Sequence, residues 1–296
     1  MRKRDDDLVS NGKTERLISK EMILLDSREY HKVKEPLRQV TINNLFARTV
    51  VEKHLQGRIY VDDVNAPTTF YIVHPYGMSL LFGNSDNHAF NCQFREYAMN
   101  KDKLRDKCEW MQVFPDSWDD KLKELFGADM VKHSDDSANE NCIELNGRVN
   151  FKFNHNRYLL FKQNNPSENH FNIVRTDEDT FNNMKGAVVP MYFWKDADHF
   201  LRHGMGFSLF CEGKLASTAY SAYAHDNFLE IGVETVDTYR GKGFAQNVCS
   251  ALIDYCLDNH LEPVWSCRQE NIGSCRLAQK LGFEPISIRP YYKLPY

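Results

Sequence analysis

The stretch Thr235–Ala245 reads TVDTYRGKGFA, a run into a turn with glycines at 241 and 243. Phe228–Val236 before it reads as a strand, with Leu229, Ile231 and Val233 on one face and Glu230, Gly232 and Glu234 on the other. After it, Ala245, Val248, Cys249, Leu252 and Cys256 recur at i, i+3, i+4, i+7 and i+11, which predicts an amphipathic helix ending near Asn259. Between strand and helix, Arg240, Gly241, Lys242, Gly243 and Ala245 form R-G-K-G-x-A. A turn of this kind presents consecutive backbone N–H groups and a helix N-terminus to an anion, and a pyrophosphate fits that description. Taken alone, the same turn is equally at home as an ordinary strand–helix connection.

Downstream, Val264–Cys267 predicts a short strand, Asn271–Leu281 a helix stopped by Gly282, and Phe283–Tyr292 a closing strand. Upstream, Phe171–Val174 reads as a strand. Phe207–Phe210 and Ala216–Tyr223 flank Glu212-Gly213-Lys214 as a hairpin. In the first half, a helix is expected within Thr41–Gln56, ended by Gly57, followed by strands at Arg58–Val61, Thr69–Val73 and Met78–Phe82. A helix at Phe90–Asn100, a strand at Trp110–Phe114 and a helix at Trp118–Phe126, with Asp116 as N-cap, complete it.

Residues 133–148 (HSDDSANENCIELNGR) are polar and acidic, so the boundary is drawn there: an α+β domain over 1–140 and a second over 141–296. Val149–Phe161, dense in aromatics, fits either strand or helix, and 164–170 is a further polar break. GRIYVDD…TTFYIV and GFSLFCEGKLASTAYSAY share a layout, so an internal duplication is in view. A first copy would lack the R-x-x-G-x-A turn.

The chain has 296 residues, enough for two domains that each bury a core. Its net charge of −4 argues against a dedicated nucleic-acid binder, which carries a basic stripe. Eight cysteines without a C-x-x-C pair read as reduced thiols rather than a disulfide framework. The first residues, MRKRDDDLVS, are charged without an apolar core, so no secretory leader is expected, and no run reaches the ~20 apolar residues of a membrane helix. The expected location is the cytoplasm. His199 and His203 have metal-compatible spacing, but no third ligand accompanies them and no metal is expected.

The order of strand, R-G-K-G-x-A turn, helix and short strand is followed by N-x-x-S-x-x-L-A-x-K-L-G-F at Asn271–Phe283. Together these resemble the GNAT superfamily of acetyl-CoA-dependent N-acetyltransferases over about 206–283, and more loosely back to 171. Arg240, Gly243 and Ala245 match its phosphate-binding pattern, and Asn271 with Leu281-Gly282-Phe283 matches its last-helix pattern. EIGVET, YRGKGFA, Pro263-Val264-Trp265 and LAQKLGF resemble the bacterial two-part GNAT acetyltransferase group, which carries a divergent N-terminal half.

The resemblance implies an α+β fold with a mixed, mostly antiparallel sheet flanked by helices, and a first half that is α+β and open to being a degenerate copy. It implies direct transfer of acetyl from acetyl-CoA to a primary amine of a small molecule or peptide. No nucleic acid, membrane or metal is involved, and a homodimer is left open. Thr235, Val236 and Asp237 would pair with the amides of pantetheine along a strand edge. Arg240, Gly241, Lys242, Gly243, Phe244 and Ala245 would hold the pyrophosphate, and Asn271 and Ser274 would complete the cofactor site. Glycine at 241 and 243 lets the backbone approach without a Cβ in the way.

Acetyl transfer needs a neutral amine, and an alkylamine has a pKa near 10, so a base must remove a proton. Glu230 and Glu234 stand about 13 Å apart on one strand face with Gly232 leaving space between them, which suits them as the catalytic carboxylates. Carboxylates satisfied by neighbouring Arg or Lys are the competing reading. Many superfamily members carry a Tyr after the Leu of the last helix, where it protonates the leaving thiolate; here Ala278 follows Leu277. Tyr291, Tyr292 or Cys275 could replace it, or the thiolate leaves unaided. The missing Tyr and the large first half motivate the alternative function, a non-catalytic acetyl-CoA-binding regulatory or interaction module.

Overall fold

The computed structural model describes residues 22–134, 141–165 and 172–296. The charged N-terminal arm with Asp5–Asp7 lies outside the described residues, as do 135–140 and 166–170 of the two polar breaks and Phe171 of the expected strand Phe171–Val174. The strands are β1 (Ile23–Leu24), β2 (Arg58–Val61), β3 (Thr69–Val73), β4 (Met78–Gly83), β5 (Glu109–Phe114), β6 (Met130–Lys132), β7 (Ile143–Phe153), β8 (Asn172–Arg175), β9 (Gly206–Cys211), β10 (Lys214–His225), β11 (Phe228–Thr235), β12 (Glu262–Arg268) and β13 (Phe283–Leu294). They form one sheet in the order β1-β2-β3-β4-β5-β13-β7-β12-β11-β10-β9-β8, with β6 beside β7. Pairing is antiparallel except at β4–β5, β11–β12 and β6–β7.

The two halves repeat one pattern. A parallel pair (β4–β5, β11–β12) is crossed over by a helix (His88–Ala98, Phe244–Asp258), and a second helix follows (Ser117–Phe126, Ile272–Lys280). Each half then ends in a long strand that crosses to the other side: β7 pairs with β12, β13 pairs with β5, and the two pair with each other. The sheet therefore runs unbroken past residue 140.

The polar run ending at Arg148 enters this exchange. Ile143–Phe153 alternates strictly between apolar and polar residues and forms a strand. Ile143, Val149 and Phe151 face the helices, and Glu144, Asn146, Arg148 and Asn150 face the other way. The aromatic stretch that fitted strand or helix contains both. It breaks at Asn154, whose side chain accepts the Arg157 N–H at 3.1 Å and caps the helix His155–Asn164.

Both sheet faces are covered. Leu229 and Ile231 pack beneath Val248, Cys249 and Leu252 of the helix Phe244–Asp258, as the alternation predicts. On the opposite face Phe46, Val50, Ile72 and Leu80 share a core with Tyr220, Ala222 and Tyr223, so the helix Leu45–Val51 of the first half lies against β10 of the second. All eight cysteines are unbridged. No helix among the described residues is long and apolar enough to cross a membrane.

A core and a sheet common to both halves should melt as one body. Trp110 and Trp118 report on the first half and Trp194 and Trp265 on the second. Single-tryptophan variants are expected to give coincident denaturant midpoints, and Phe46→Ala, at about 3–5 kcal/mol, should lower all of them together. Separate midpoints would contradict the shared core.

Candidate active site

β11 and β12 are in register only over Phe228–Glu230 and Glu262–Val264. Beyond that point they part. β12 continues with β7 as far as Arg268, and β11 continues with β10 as far as Thr235. The backbone edge of Ile231–Thr235 thus borders a cleft of about 890 Å³ that is also lined by Trp265–Arg268. An extended chain of amides could satisfy such an edge.

At the outer end of the cleft lies the glycine turn. Gly241 and Gly243 have φ of +79° and +80°, a conformation that favours glycine, and nothing lies within 4 Å of where a Cβ would project at either. The helix Phe244–Asp258 begins at Gly243 with no side chain capping its N–H groups. At 15 residues, it turns a positive dipole end to the opening. The first half offers no such opening: β4 and β5 stay paired from Met78 to Phe82, and the Asn87 side chain caps His88–Ala98 through the Phe90 N–H.

Most of the expected cofactor residues meet at the cleft. Thr235, Arg240, Gly241, Gly243, Phe244, Ala245, Asn271 and Ser274 line it. Arg240 braces the turn: its Nε donates to the Thr235 carbonyl (3.3 Å), and its Nη2 lies 2.9 Å from Asp237 and 3.6 Å from Glu234. Asn271 caps the helix Ile272–Lys280 by accepting the Ser274 N–H, and the Ser274 hydroxyl accepts the Trp265 indole N–H at 3.1 Å. The side chains of Val236 and Asp237 are exposed outside the cleft, and Lys242 lies over the Tyr239 ring.

Glu230 and Glu234 both line the cleft, and each has an arginine beside it, as the competing reading of the pair expects. Glu230 is 5% exposed. Its Oε1 accepts the Ser266 hydroxyl (2.7 Å) and lies 3.4 Å from Arg148 Nη2, while its buried Oε2 has no partner. Arg148 Nη2 in turn donates to Ser266 Oγ at 2.5 Å. Glu234 accepts the Val188 N–H at 2.8 Å, which holds the 186–188 loop against the strand. The space expected over Gly232 is not open. Tyr220 is its direct cross-strand partner, and the phenol ring lies where a Cβ would be, its Cζ at 2.6 Å from that position.

Among the three residues considered for the missing tyrosine, alternation separates Tyr291 from Tyr292. Tyr291 lines the cleft, and burial raises its pKa to about 12, so it keeps its proton at neutral pH. Tyr292 points into the helix-side core and donates to Asp119 at 2.6 Å. Cys275 packs beside Cys267, sulfur to sulfur 3.4 Å. Ala278 is fully buried in the core.

The residues that sequence reasoning missed come from outside the motif region. Arg148 on β7, and Tyr76, Met78 and Trp110 of the first half, also line the cleft. For Arg148 the signal was available in the alternation of Ile143–Phe153. The contribution of Trp110 depends on the strand exchange, which no local pattern announces.

Two measurements check this electrostatic arrangement. Arg148→Met leaves Glu230 buried and unpaired, and should cost about 3–5 kcal/mol in denaturant unfolding; adding Glu230→Leu should recover much of it. Burial also depresses His74 from 6.5 to about 3, while its Nδ1 accepts the Tyr76 N–H at 3.1 Å. The unfolded chain takes up this proton near pH 6.5 and the folded chain refuses it until about 3. The stability is therefore whole above 6.5 and is lost as pH falls through that window. Between pH 8 and 5 the protein should lose about 2 kcal/mol more than His74→Asn does. Equal losses would contradict a neutral buried imidazole.

The family model described as GNAT acetyltransferase matches residues 35–292, across both halves. The uncharacterised N-acetyltransferase YdfB of Bacillus subtilis (strain 168) is 24% identical over 244 residues, 82% of this chain and 87% of that protein. The crystal structure of a GCN5-related N-acetyltransferase-like protein from Streptococcus suis shares the fold with a TM-score of 0.65 at 20% identity, covering 90% of this chain and 99% of that one. A tandem GNAT protein from the clavulanic acid biosynthesis pathway does so at 0.57 and 9% identity, covering 92% and 97%. With the α+β architecture and the opened β11–β12 pair, the match over 35–292 makes this chain an acyltransferase of the GNAT acetyltransferase family.

Proposed function

We propose that the protein transfers acetyl from acetyl-CoA directly to a primary amine. The observation that carries the reading is the gap between β11 and β12, which joins the open glycine turn to the unpartnered oxygen of Glu230. The amides of 241–245 and the helix behind them suit a pyrophosphate, and the free edge of Ile231–Thr235 suits the pantetheine amides. Acetyl-CoA, when bound, supplies the acyl group as an activated thioester.

Glu230 acts as the base. Ser266 and Arg148 fix its Oε1, which leaves Oε2 to take the proton of the incoming ammonium. Glu234 positions the loop at Val188 over the cleft. Tyr291 faces the cleft and stays protonated, so it is the donor available to a leaving thiolate.

We further propose that the halves expected over 1–140 and 141–296 are diverged copies of one unit. The repeated order of parallel pair, crossover helix, second helix and exchanged strand supports this, and the capped helix at Asn87 fits a copy whose phosphate site has closed.

The function is tested by thermal shift and thiol release. Acetyl-CoA should raise Tm, and an amine panel should release CoA thiol. Glu230→Gln should lower kcat by about 10²–10⁴-fold while keeping the acetyl-CoA shift. Wild-type turnover in that variant would remove Glu230 as base, and no shift with acetyl-CoA or CoA would overturn the whole reading.

A further inference from the structure

We infer that the amine accepted here carries an anionic group, a carboxylate or a phosphate, close to its reacting nitrogen, and that Arg268 receives it with Arg148 behind. This rests on the reading of the cleft as an amine-acetylation site.

Arg148 and Arg268 are direct cross-strand partners on β7 and β12, and Arg289 on β13 is the partner of Arg148 on its other side. Three guanidinium groups thus stand in a row on one sheet face, an arrangement that is destabilising without counter-charges. Asp116 of the first half pairs with Arg289. Glu230 serves Arg148. Among the described residues no carboxylate pairs with Arg268, which is exposed and borders the cleft.

Arg268 is nonetheless held in place. Its guanidinium lies 4.7 Å over the Trp110 ring; Trp110 stacks on Tyr291 at 5.1 Å; and Arg148 lies 5.1 Å over Tyr291. An arginine seated over an aromatic ring has already lost much of the freedom that anion binding would remove. The buried Nε of Arg148 has no acceptor, and a donor left this way is costly until an oxygen reaches it.

The adjoining charges fit a zwitterion. Glu230, Arg148 and Arg268 all line the cleft, with the carboxylate 3.4 Å from Arg148 and Arg268 the cross-strand partner of Arg148, so an ammonium and an anion on one small molecule each find an opposite charge there. A polyamine would instead bring a second cation against Arg148 and Arg268, which is repulsive.

The test uses matched acceptors on the intact protein: L-tyrosine with tyramine, L-lysine with cadaverine, and phosphoethanolamine with ethanolamine. The anionic member of a pair should have the higher kcat/KM by about tenfold or more, chiefly through KM. The tyrosine and lysine pairs report a carboxylate, and the phosphoethanolamine pair reports a phosphate. In Arg268→Ala, an exposed position, the ratio should collapse toward one, and Arg268→Lys should restore part of it. Equal or reversed preference overturns the inference while any turnover still upholds acetylation. A rise in the KM for acetyl-CoA as large as that for the acceptor would assign Arg268 to the cofactor and also overturn it. If no member is acetylated, the acetylation reading fails. Calorimetry of L-tyrosine against tyramine on the CoA-bound protein then decides the anion site: tighter binding of tyrosine, lost in Arg268→Ala, supports it, and equal binding refutes it.

Discussion

Two parallel strands that stop pairing leave a row of backbone groups without partners, and the organisation of this protein follows from where that happens. β11 and β12 part after Glu230 and Val264. The separation is sustained because each strand is fully paired on its outer side, β11 with β10 and β12 with β7. At the apex Arg148, Ser266 and Glu230 tie three adjacent strands together by side chains. The unsatisfied edge is open to water or to a ligand's amides. The corresponding pair in the first half, β4–β5, remains closed.

The strand exchange brings both halves to one wall of the cleft. Because β13 reaches β5 and β7 reaches β12, Trp110, Tyr291, Arg148 and Arg268 come from four different strands yet form one stack beside the cleft. Tyr76 and Met78 extend the same wall. The first half is thus part of the site, and its apolar side is continuous with the core around Tyr220 and Tyr223.

Much of this was legible in the sequence, for reasons that are local. Alternation along Phe228–Thr235 assigned the two faces of β11, and the two glycines with the helical spacing after them located the open turn before the helix. Asn271 and Gly282 bracketed the last helix. What escaped was non-local. Residues 143–148 looked like a linker because one face of β7 carries Glu144, Asn146 and Arg148, and the partners that satisfy them, Lys293 for Glu144 and Ser266 and Glu230 for Arg148, lie far off in the chain. The space over Gly232 is filled by Tyr220, a partner fixed only by the register of β10 against β11. Tyr291 and Tyr292 are adjacent in sequence and do opposite things, and only the direction of β13 determines which one meets the cleft.

The central claim is that the cofactor site is the opened half alone. Hydrogen exchange with and without acetyl-CoA tests it directly, amide by amide. Protection should rise at 231–235 and 241–246, the strand edge and the uncapped turn, with no change at 84–90 around the capped helix of the first half. Protection at 84–90, or none at 241–246 under saturating acetyl-CoA, would contradict the account.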